Sequence, residues 1–125
     1  MGGFVKSKRA TEDYVKTIYQ LSQKGKVRCC QIAKCLSVSR PTALMSIRIL
    51  SEEGLVYQDD LKNIYLTEKG IKLAQKVEAK HRVLYELLVM VGVDEEIASR
   101  DACKMEHGLG EESFLALQSL VRDPD

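Results

Sequence analysis

A cysteine, a glutamate and a histidine lie within five positions of one another in the stretch DACKMEHGLG, residues 101–110. If this stretch is helical, Cys103, Glu106 and His107 have the spacing i, i+3, i+4 and share one face, with Cβ atoms roughly 5–6 Å apart. A thiolate, a carboxylate and an imidazole together suit a transition metal. Three ligands on one helix do not complete a site, so a buried cysteine beside a solvated Glu–His pair is the alternative interpretation.

The elements that precede this stretch follow from helix and turn signals. Thr11 is expected to cap a first helix, TEDYVKTIYQLSQ, which ends at Lys24-Gly25. A short helix at about 29–36, a turn at residues 37–39 and a longer helix at about 40–53 follow. Ser39 is the expected N-cap of the longer helix, with Pro41 in its first turn and Gly54 just after its end. Two helices joined by so short a turn predict a helix-turn-helix.

The rest of the chain predicts a hairpin and three more helices. LVYQ and NIYLT are expected to form two strands around residues 59–62, which makes a wing. Thr67 caps a long helix closed by Gly92, and Asp94 caps a second helix through Cys103 to about His107. Residues 111–121 form a last short helix. We therefore expect a mainly α fold with a small β wing: a winged helix-turn-helix over residues 1–66 and a helical domain over residues 67–125.

Charge divides the chain in a way that the net value of +1 hides. Residues 1–50 hold ten Lys and Arg against two Asp and Glu, whereas residues 51–125 hold nine against sixteen. A basic front half that coincides with a helix-turn-helix predicts double-stranded DNA as the partner of that half.

The composition favours a cytoplasmic protein that does not enter a membrane. No apolar run approaches the ~18–20 residues that a membrane-spanning helix needs, and MGGFVKSKRA lacks the apolar core of a signal peptide. We therefore expect reduced thiols at Cys29, Cys30, Cys35 and Cys103. The first three form no zinc pattern, because no CxxC pair accompanies them.

Several segments together resemble the family of the diphtheria toxin repressor and the manganese transport regulator. They are TEDYVKTIYQL, QIAKCLSVSRPTA, LTEKGIKLA, AKHRVLYELL, VGVDEE and DACKMEH, and they span about residues 10–118. The resemblance implies a dimeric transcription regulator with an N-terminal winged helix-turn-helix and a helical dimerisation domain. It also implies binding to operator DNA when a divalent metal is present. The chain as given ends before the third, SH3-like domain of longer iron-branch proteins.

The resemblance assigns the metal ligands residue by residue. Cys103, Glu106 and His107 match the ligands of the iron branch, and Asp13 matches the first-helix ligand of the manganese branch. His81 matches a histidine that both branches use at a second metal position. Three residues depart from the pattern of that second position: Lys16, Tyr85 and Ser99. We therefore expect one divalent ion per subunit, Fe(II) or Mn(II), and a weak or empty second position.

The same resemblance predicts how metal would control DNA binding. A metal held by Asp13 in the basic half and by Cys103, Glu106 and His107 in the acidic half would fix the two halves and stabilise the DNA-binding arrangement. Ser39, Arg40, Pro41, Thr42 and Met45 are the expected base-proximal residues, with Arg48 and Arg28 on phosphates. The predicted activity is repression of metal-uptake genes, with no enzymatic reaction and no small organic substrate.

Two other classes of protein are compatible with the residues. A winged-helix DNA-binding regulator that does not sense metal would keep the basic half, and Lys16 is the residue that supports it. A metal or thiol enzyme built on Cys103 and His107 is the other, although no open-site motif accompanies those residues. Metal titration with and without DNA distinguishes the three.

Overall fold

The computed structural model describes residues 7–121 and divides the chain into two compact units, residues 1–75 and 76–125. The helices are α1 (Lys8–Ser22), α2 (Cys29–Leu36), α3 (Arg40–Glu52), α4 (Glu68–Met90), α5 (Glu95–Met105) and α6 (Glu111–Val121), with a 3-10 turn at Glu106–Gly108. Strands β1 (Val56–Gln58) and β2 (Ile64–Leu66) lie between α3 and α4. The predicted mainly α fold with a small β wing is confirmed. The division between the units falls inside α4, and the predicted domain boundary at residue 66 stays a prediction.

The core of the first unit is built from apolar residues of every element in it. The largest side chains that are almost wholly buried there are Ile18, Ile32, Leu50, Ile64, Val15, Val27 and Val56. Helix α1 contributes Val15 and Ile18 at a spacing of three, which places both on one face. A hydrogen bond between the buried side chains of Tyr14 and Ser46 links α1 to α3. Burial raises the pKa of the Tyr14 phenol above its usual value.

The first helix begins earlier than its sequence suggested. The Ser7 hydroxyl accepts a hydrogen bond from the Ala10 amide at 3.1 Å and caps a helix that starts at Lys8. The Thr11 amide donates to the Ser7 carbonyl at 3.0 Å, so Thr11 is inside the helix. The prediction of Thr11 as N-cap is wrong because Ser7 supplies an equally good cap and no helix breaker separates the two.

The helix-turn-helix follows its predicted boundaries closely. Ser37 ends α2 in a left-handed conformation with a φ of 57°. The Ser39 side chain caps α3 by accepting a hydrogen bond from the Thr42 amide at 3.2 Å. Pro41 occupies the first turn of α3, where the missing N–H has no helical partner to lose. Gly54 follows the helix with a φ of 78°. These local signals fix the turn geometry of the motif.

The wing is a two-stranded antiparallel hairpin whose turn is organised by one carboxylate. Tyr57 pairs with Tyr65 in the register, and their rings stack with centroids 5.2 Å apart. Oδ1 of Asp59 accepts hydrogen bonds from the amides of Leu61 and Asn63, at 3.0 and 2.8 Å. Oδ2 accepts hydrogen bonds from the side-chain amide of Asn63 and from the Tyr65 hydroxyl, at 3.0 and 3.1 Å. Four hydrogen bonds therefore hold the turn.

The second unit contains most of α4, then α5, the 3-10 turn and α6. The Asp94 side chain caps α5 by accepting from the Glu96 amide at 3.1 Å, as predicted. The α-helix ends at Met105, however, and Glu106 begins the 3-10 turn, so the predicted continuation of the helix to His107 is wrong. A 3-10 turn tightens the backbone at the end of the helix.

The apolar core of the second unit is small. Its buried apolar residues are Val77, Val83, Leu84, Ala98, Ala102 and Phe114. Leu84 is 2 % exposed and belongs to this core, so it is not part of an exposed apolar surface. Over residues 7–121, none of the helices combines the length and apolar character that crossing a bilayer requires.

Candidate metal centre and DNA-facing helix

Three metal-ligand side chains of the second unit converge from three consecutive elements. They are His81 on α4, Cys103 on α5 and Glu106 at the start of the 3-10 turn. Each offers one ligand atom, and these atoms all lie within 4.8 Å of one another. Imidazole nitrogen, thiolate sulfur and carboxylate oxygen at such distances form a donor set that fits a divalent transition metal.

Glu106 is the centre of this cluster. Its side chain is wholly buried, and Oε1 lies 3.0 Å from His81 Nδ1. The other oxygen, Oε2, lies 3.4 Å from Nε2 of His107, whose side chain is only 5 % exposed. One buried carboxylate therefore contacts an imidazole on each side. This arrangement holds the carboxylate and both rings in defined orientations.

The structure arranges the candidate ligands of the second unit differently from the shared helical face expected, and the ligand set itself stays a prediction. Cys103, Glu106 and His107 were expected to share one helical face, and His81 was assigned to a second position. His81 instead lies with Cys103 and Glu106, and His107 lies on the opposite oxygen of Glu106. The physical reason is the end of α5 at Met105, because the 3-10 geometry that follows does not keep the i, i+4 spacing.

A buried lysine next to His81 fixes the chain segment that follows the cluster. Lys80 is 6 % exposed, and its Nζ donates a hydrogen bond to the Leu109 carbonyl at 2.8 Å. This contact ties the end of the Glu106–Gly108 turn to α4. Sequence reasoning missed Lys80, because a lysine in a charged helix is expected to be solvated.

An open groove adjoins His81 on the surface of the second unit. Its volume is about 610 Å³. The residues that line it are Glu78, His81, Arg82, Tyr85, Glu95, Glu96 and Ser99. The Tyr85 ring is nearly parallel to that of His81, with centroids 6.5 Å apart. Tyr85 and Ser99, the residues that depart from the pattern of a second metal position, thus lie beside His81 in this groove.

The outward face of α3 in the first unit is basic and partly apolar. Arg40 and Arg48 are exposed on it, as are Pro41 and Met45, whereas Thr42 is half-buried. Leu44 is 52 % exposed on the same side, and sequence reasoning missed it. A helical wheel with the buried residues at i, i+3, i+4 and i+7 would have placed Leu44 outside the core. This face has the charge and exposure that contact with a nucleic acid requires.

A basic cavity of about 570 Å³ separates α3 from the wing. Its cationic lining residues are Arg28, Arg40, Arg48 and Lys62. Arg28 has a structural contact as well, since its guanidinium donates a hydrogen bond to the Leu61 carbonyl at 2.6 Å. Arg28 therefore joins the start of α2 to the wing turn. Its assignment to a phosphate stays a prediction.

Both halves of the chain match descriptions of one protein family. Residues 7–63 match the iron-dependent repressor N-terminal DNA-binding domain. Residues 67–125 match the iron-dependent repressor metal-binding and dimerisation domain. This chain belongs to the iron-dependent repressor family.

Relatives in this family include manganese- and iron-named regulators. The transcriptional regulator MntR of Escherichia coli O157:H7 is 36% identical over 108 residues, which cover 86% of this chain and 70% of MntR. The iron-dependent repressor IdeR of Mycobacterium tuberculosis is 34% identical over 116 residues, covering 91% of this chain and 50% of IdeR. A manganese-dependent transcriptional repressor solved in complex with manganese has a TM-score of 0.82 and 29% identity. That match covers 91% of this chain and 55% of the solved one. The chain thus spans about half the length of these last two relatives.

The remaining ligand of the predicted family pattern, Asp13, belongs to the first unit. It is half-buried on α1 and lines a cavity of about 150 Å³ with Ala10, Tyr14, Leu36 and Val38. Lys16, one turn further on, is 8 % exposed. Its burial is unusual for a lysine and marks the position at which this repressor-family chain departs from the manganese branch. The assignment of Asp13 as a ligand stays a prediction.

All four cysteines lie within the described residues and are reduced thiols, as expected. Cys30, Cys35 and Cys103 are exposed, and Cys29 is half-buried at the start of α2. Burial raises the pKa of the Cys29 thiol above its usual value, although the nearby Arg40 charge opposes this shift. Cys103 is the cysteine that lies in a cluster of potential ligands.

Proposed function

We propose that this chain is a metal-dependent transcriptional regulator that binds operator DNA as a homodimer. Its expected activity is repression of metal-uptake genes in the cytoplasm, without an enzymatic reaction. The observation that carries the proposal is the convergence of His81, Cys103 and Glu106 within 4.8 Å, in a chain whose other unit is a winged helix-turn-helix.

The proposed metal site is built from three elements of the second unit. A bound divalent ion would supply positive charge between the two acidic donors, the Cys103 thiolate and the Glu106 carboxylate, which would otherwise repel one another. Glu106 provides a buried carboxylate, His81 a ring held by that carboxylate, and Cys103 a thiol that solvent can reach. His107 orients Glu106 from its other oxygen. Asp13 is kept as a further ligand, because its motif resembles that of the family's first-helix ligand.

We propose Fe(II) or Mn(II) as the ion, at about one per subunit. The Cys103 thiolate is a soft ligand and favours iron over manganese, whereas the carboxylate of Glu106 suits both. Affinity should fall in acid, because metal binding requires a deprotonated thiol and a neutral imidazole.

The proposed DNA-binding element is α3 with the wing. Arg40 and Arg48 supply exposed positive charge, and the helix-turn-helix places such a helix in the major groove. In a homodimer two such helices would lie about 34–36 Å apart, the repeat of the groove. The proposed dimer surface is the exposed apolar part of the second unit, which includes Met90, Val91, Ile97, Leu115 and Leu120.

A second candidate is a DNA-binding regulator of the same fold that does not sense metal. The observation that favours it is Lys16, which is buried where the manganese branch carries a further carboxylate. Its ammonium group would oppose a cation in its vicinity.

A selection experiment tests the proposal. The protein is used to enrich a random 25-base-pair duplex library under anaerobic conditions, with Mn²⁺, Fe²⁺ or Zn²⁺ and with a chelator. We expect a two-fold symmetric sequence to be enriched only with a divalent ion. Enrichment of the same sequence in chelator would favour the second candidate, and enrichment of none in any condition would contradict both.

A further inference from the structure

The face of α3 that points away from the core has an apolar centre. Ala43, Ser46, Ile47 and Leu50 are buried on the opposite side of the helix. Leu44 and Met45 are 52 % and 41 % exposed, and Pro41 is exposed one turn before Met45. A single exposed leucine would need no explanation, but three apolar side chains within two turns form a patch. Arg40 and Arg48 lie before and after this patch, so the apolar surface has a cation at each end.

The hydroxyl groups at the start of α3 are engaged within the protein. The Ser39 hydroxyl donates to Thr42 Oγ1 at 2.9 Å and accepts from the Thr42 amide at 3.2 Å. Ser46 is wholly buried and is hydrogen-bonded to Tyr14. The exposed centre of the helix therefore offers carbon and sulfur atoms to a partner, and the two arginines offer the charged donors.

The major groove contains one apolar group that distinguishes a base, the C5-methyl group of thymine. Apolar side chains contact this methyl, whereas arginine donates to guanine or to phosphate. We infer that Leu44 and Met45 are specificity-determining residues that recognise thymine by its methyl group. This inference rests on the proposed function and adds to it the chemical feature of the operator that α3 distinguishes.

The two residues have separate positions on the helix. Leu44 lines the basic cavity with Arg40 and Arg48, on the side of the wing. Met45 does not line that cavity and lies four residues after Pro41, which places these two side chains on one strip of the helix. Leu44 and Met45 should therefore contact methyl groups at two different positions of the half-site.

The size of the effect follows from the burial of one methyl group. Moving one CH₂-sized apolar group from water into a buried contact strengthens binding by about three- to fivefold. Replacing a contacted thymine by 2′-deoxyuridine, which lacks the methyl and keeps every hydrogen-bonding group, should weaken binding by about this factor.

The experiment uses the full chain with Mn²⁺ and the duplex enriched from the random library. Each thymine of the half-site is replaced in turn by 2′-deoxyuridine, and affinities are measured by fluorescence anisotropy. When the uracil is at either of two positions, the wild type should bind the substituted duplex about three- to fivefold more weakly than the thymine duplex. Leu44→Ala should bind the thymine duplex more weakly than the wild type does. At one of the two positions it should bind the thymine and uracil duplexes equally well, and Met45→Ala should show the same behaviour at the other position.

Leu61→Ala is the matched control, because Leu61 is an exposed leucine of the wing whose contact with Arg28 is made by its backbone carbonyl. The Leu61→Ala variant should still bind the uracil duplexes more weakly than the thymine duplex at both positions. Met45→Gln keeps the length of the side chain and makes it polar. This variant should also bind the thymine and uracil duplexes equally well at the position assigned to Met45, which distinguishes an apolar contact with the methyl group from an effect of side-chain size.

Two results would overturn the inference without affecting the proposed function. The first is equal affinity of the wild type for thymine and uracil duplexes at every position, and the second is an unchanged preference for thymine at both positions in Leu44→Ala and in Met45→Ala. Failure to enrich any duplex with any ion would overturn the proposed function, and this inference with it.

Discussion

At the scale of single residues, Glu106 and Cys103 of the proposed metal centre differ in how much of the fold depends on them. Glu106 has no exposed side-chain surface and contacts His81 and His107 through its two oxygens. Its removal would disturb packing and both rings. Cys103 is exposed, so its thiol could serve as a ligand atom without filling the core. Cys103 is therefore the better residue for testing metal binding without unfolding the protein.

We predict that Cys103→Ala lowers metal affinity and leaves the fold unchanged. Loss of a residue that only supports a ligand costs about 10–100-fold in affinity, and loss of a ligand should cost no less. Calorimetric titration with Mn²⁺ or Co²⁺ measures this affinity, and the Co²⁺ complex should lose its thiolate charge-transfer absorption. Cys30→Ala, another exposed cysteine, serves as the control. Unchanged affinity and absorption in Cys103→Ala would remove the thiol from the proposed site.

At the scale of elements, local sequence signals predict most helix boundaries. They do not predict which residues far apart in the sequence come together in the fold. Ser39, Pro41 and Gly54 mark α3 because capping and turn chemistry depend on neighbouring residues alone. The shorter α5 could not be predicted, since residues 93–107 contain no Pro or Gly that would end the helix before residue 108. The approach of His81 to Cys103 depends on the packing of α4 and α5, which periodicity does not specify.

We predict that Gly70→Ala destabilises the protein by about 2 kcal/mol, within the usual range for overpacking. A Cβ atom at Gly70 would overlap the Leu55 carbonyl oxygen, which is backbone and cannot rotate away. Helix α4 would have to shift from the chain segment before β1. Chemical denaturation measures the loss. Gly108→Ala, where a Cβ atom meets nothing within 4 Å, should change stability by less than about 0.5 kcal/mol.

The wing should lose order in acid. Hydrogen bonding, first from the Asn63 side chain, lowers the pKa of the Asp59 carboxyl below its usual value. A lowered folded-state pKa means that ionised Asp59 stabilises the turn above the unfolded value of about 4, and that this stability is lost as pH falls through the folded pKa. The protection of the Asn63 amide, which is the factor by which its exchange is slower than that of an unstructured peptide at the same pH, should fall over that range. In Asp59→Asn exchange should already be fast at neutral pH, and slow exchange there would contradict the role of the carboxylate.

At the scale of the whole molecule, the chain joins a basic winged helix-turn-helix unit to a unit that carries the proposed metal ligands and an exposed apolar surface. We predict a dimer at micromolar concentration, because Val91 and Leu120 are 75 % and 65 % exposed and an apolar surface of this kind favours association. Sedimentation should give a dimer for the wild type and a monomer for Leu120→Lys. Leu61→Lys in the wing should remain dimeric. A monomeric wild type, with and without metal, would contradict the prediction.

The most direct test of the central claim is the affinity for the enriched duplex, measured with and without Mn²⁺ over a series of salt concentrations. Metal should strengthen binding by the wild type, and at limiting Mn²⁺ Cys103→Ala should lose this response while keeping its metal-free affinity. Arg48→Ala should keep its metal affinity, bind DNA more weakly and show a salt dependence shallower by about one unit if Arg48 contacts one phosphate. Equal affinity of the wild type with and without metal, or a normal metal response in Cys103→Ala, would contradict the account.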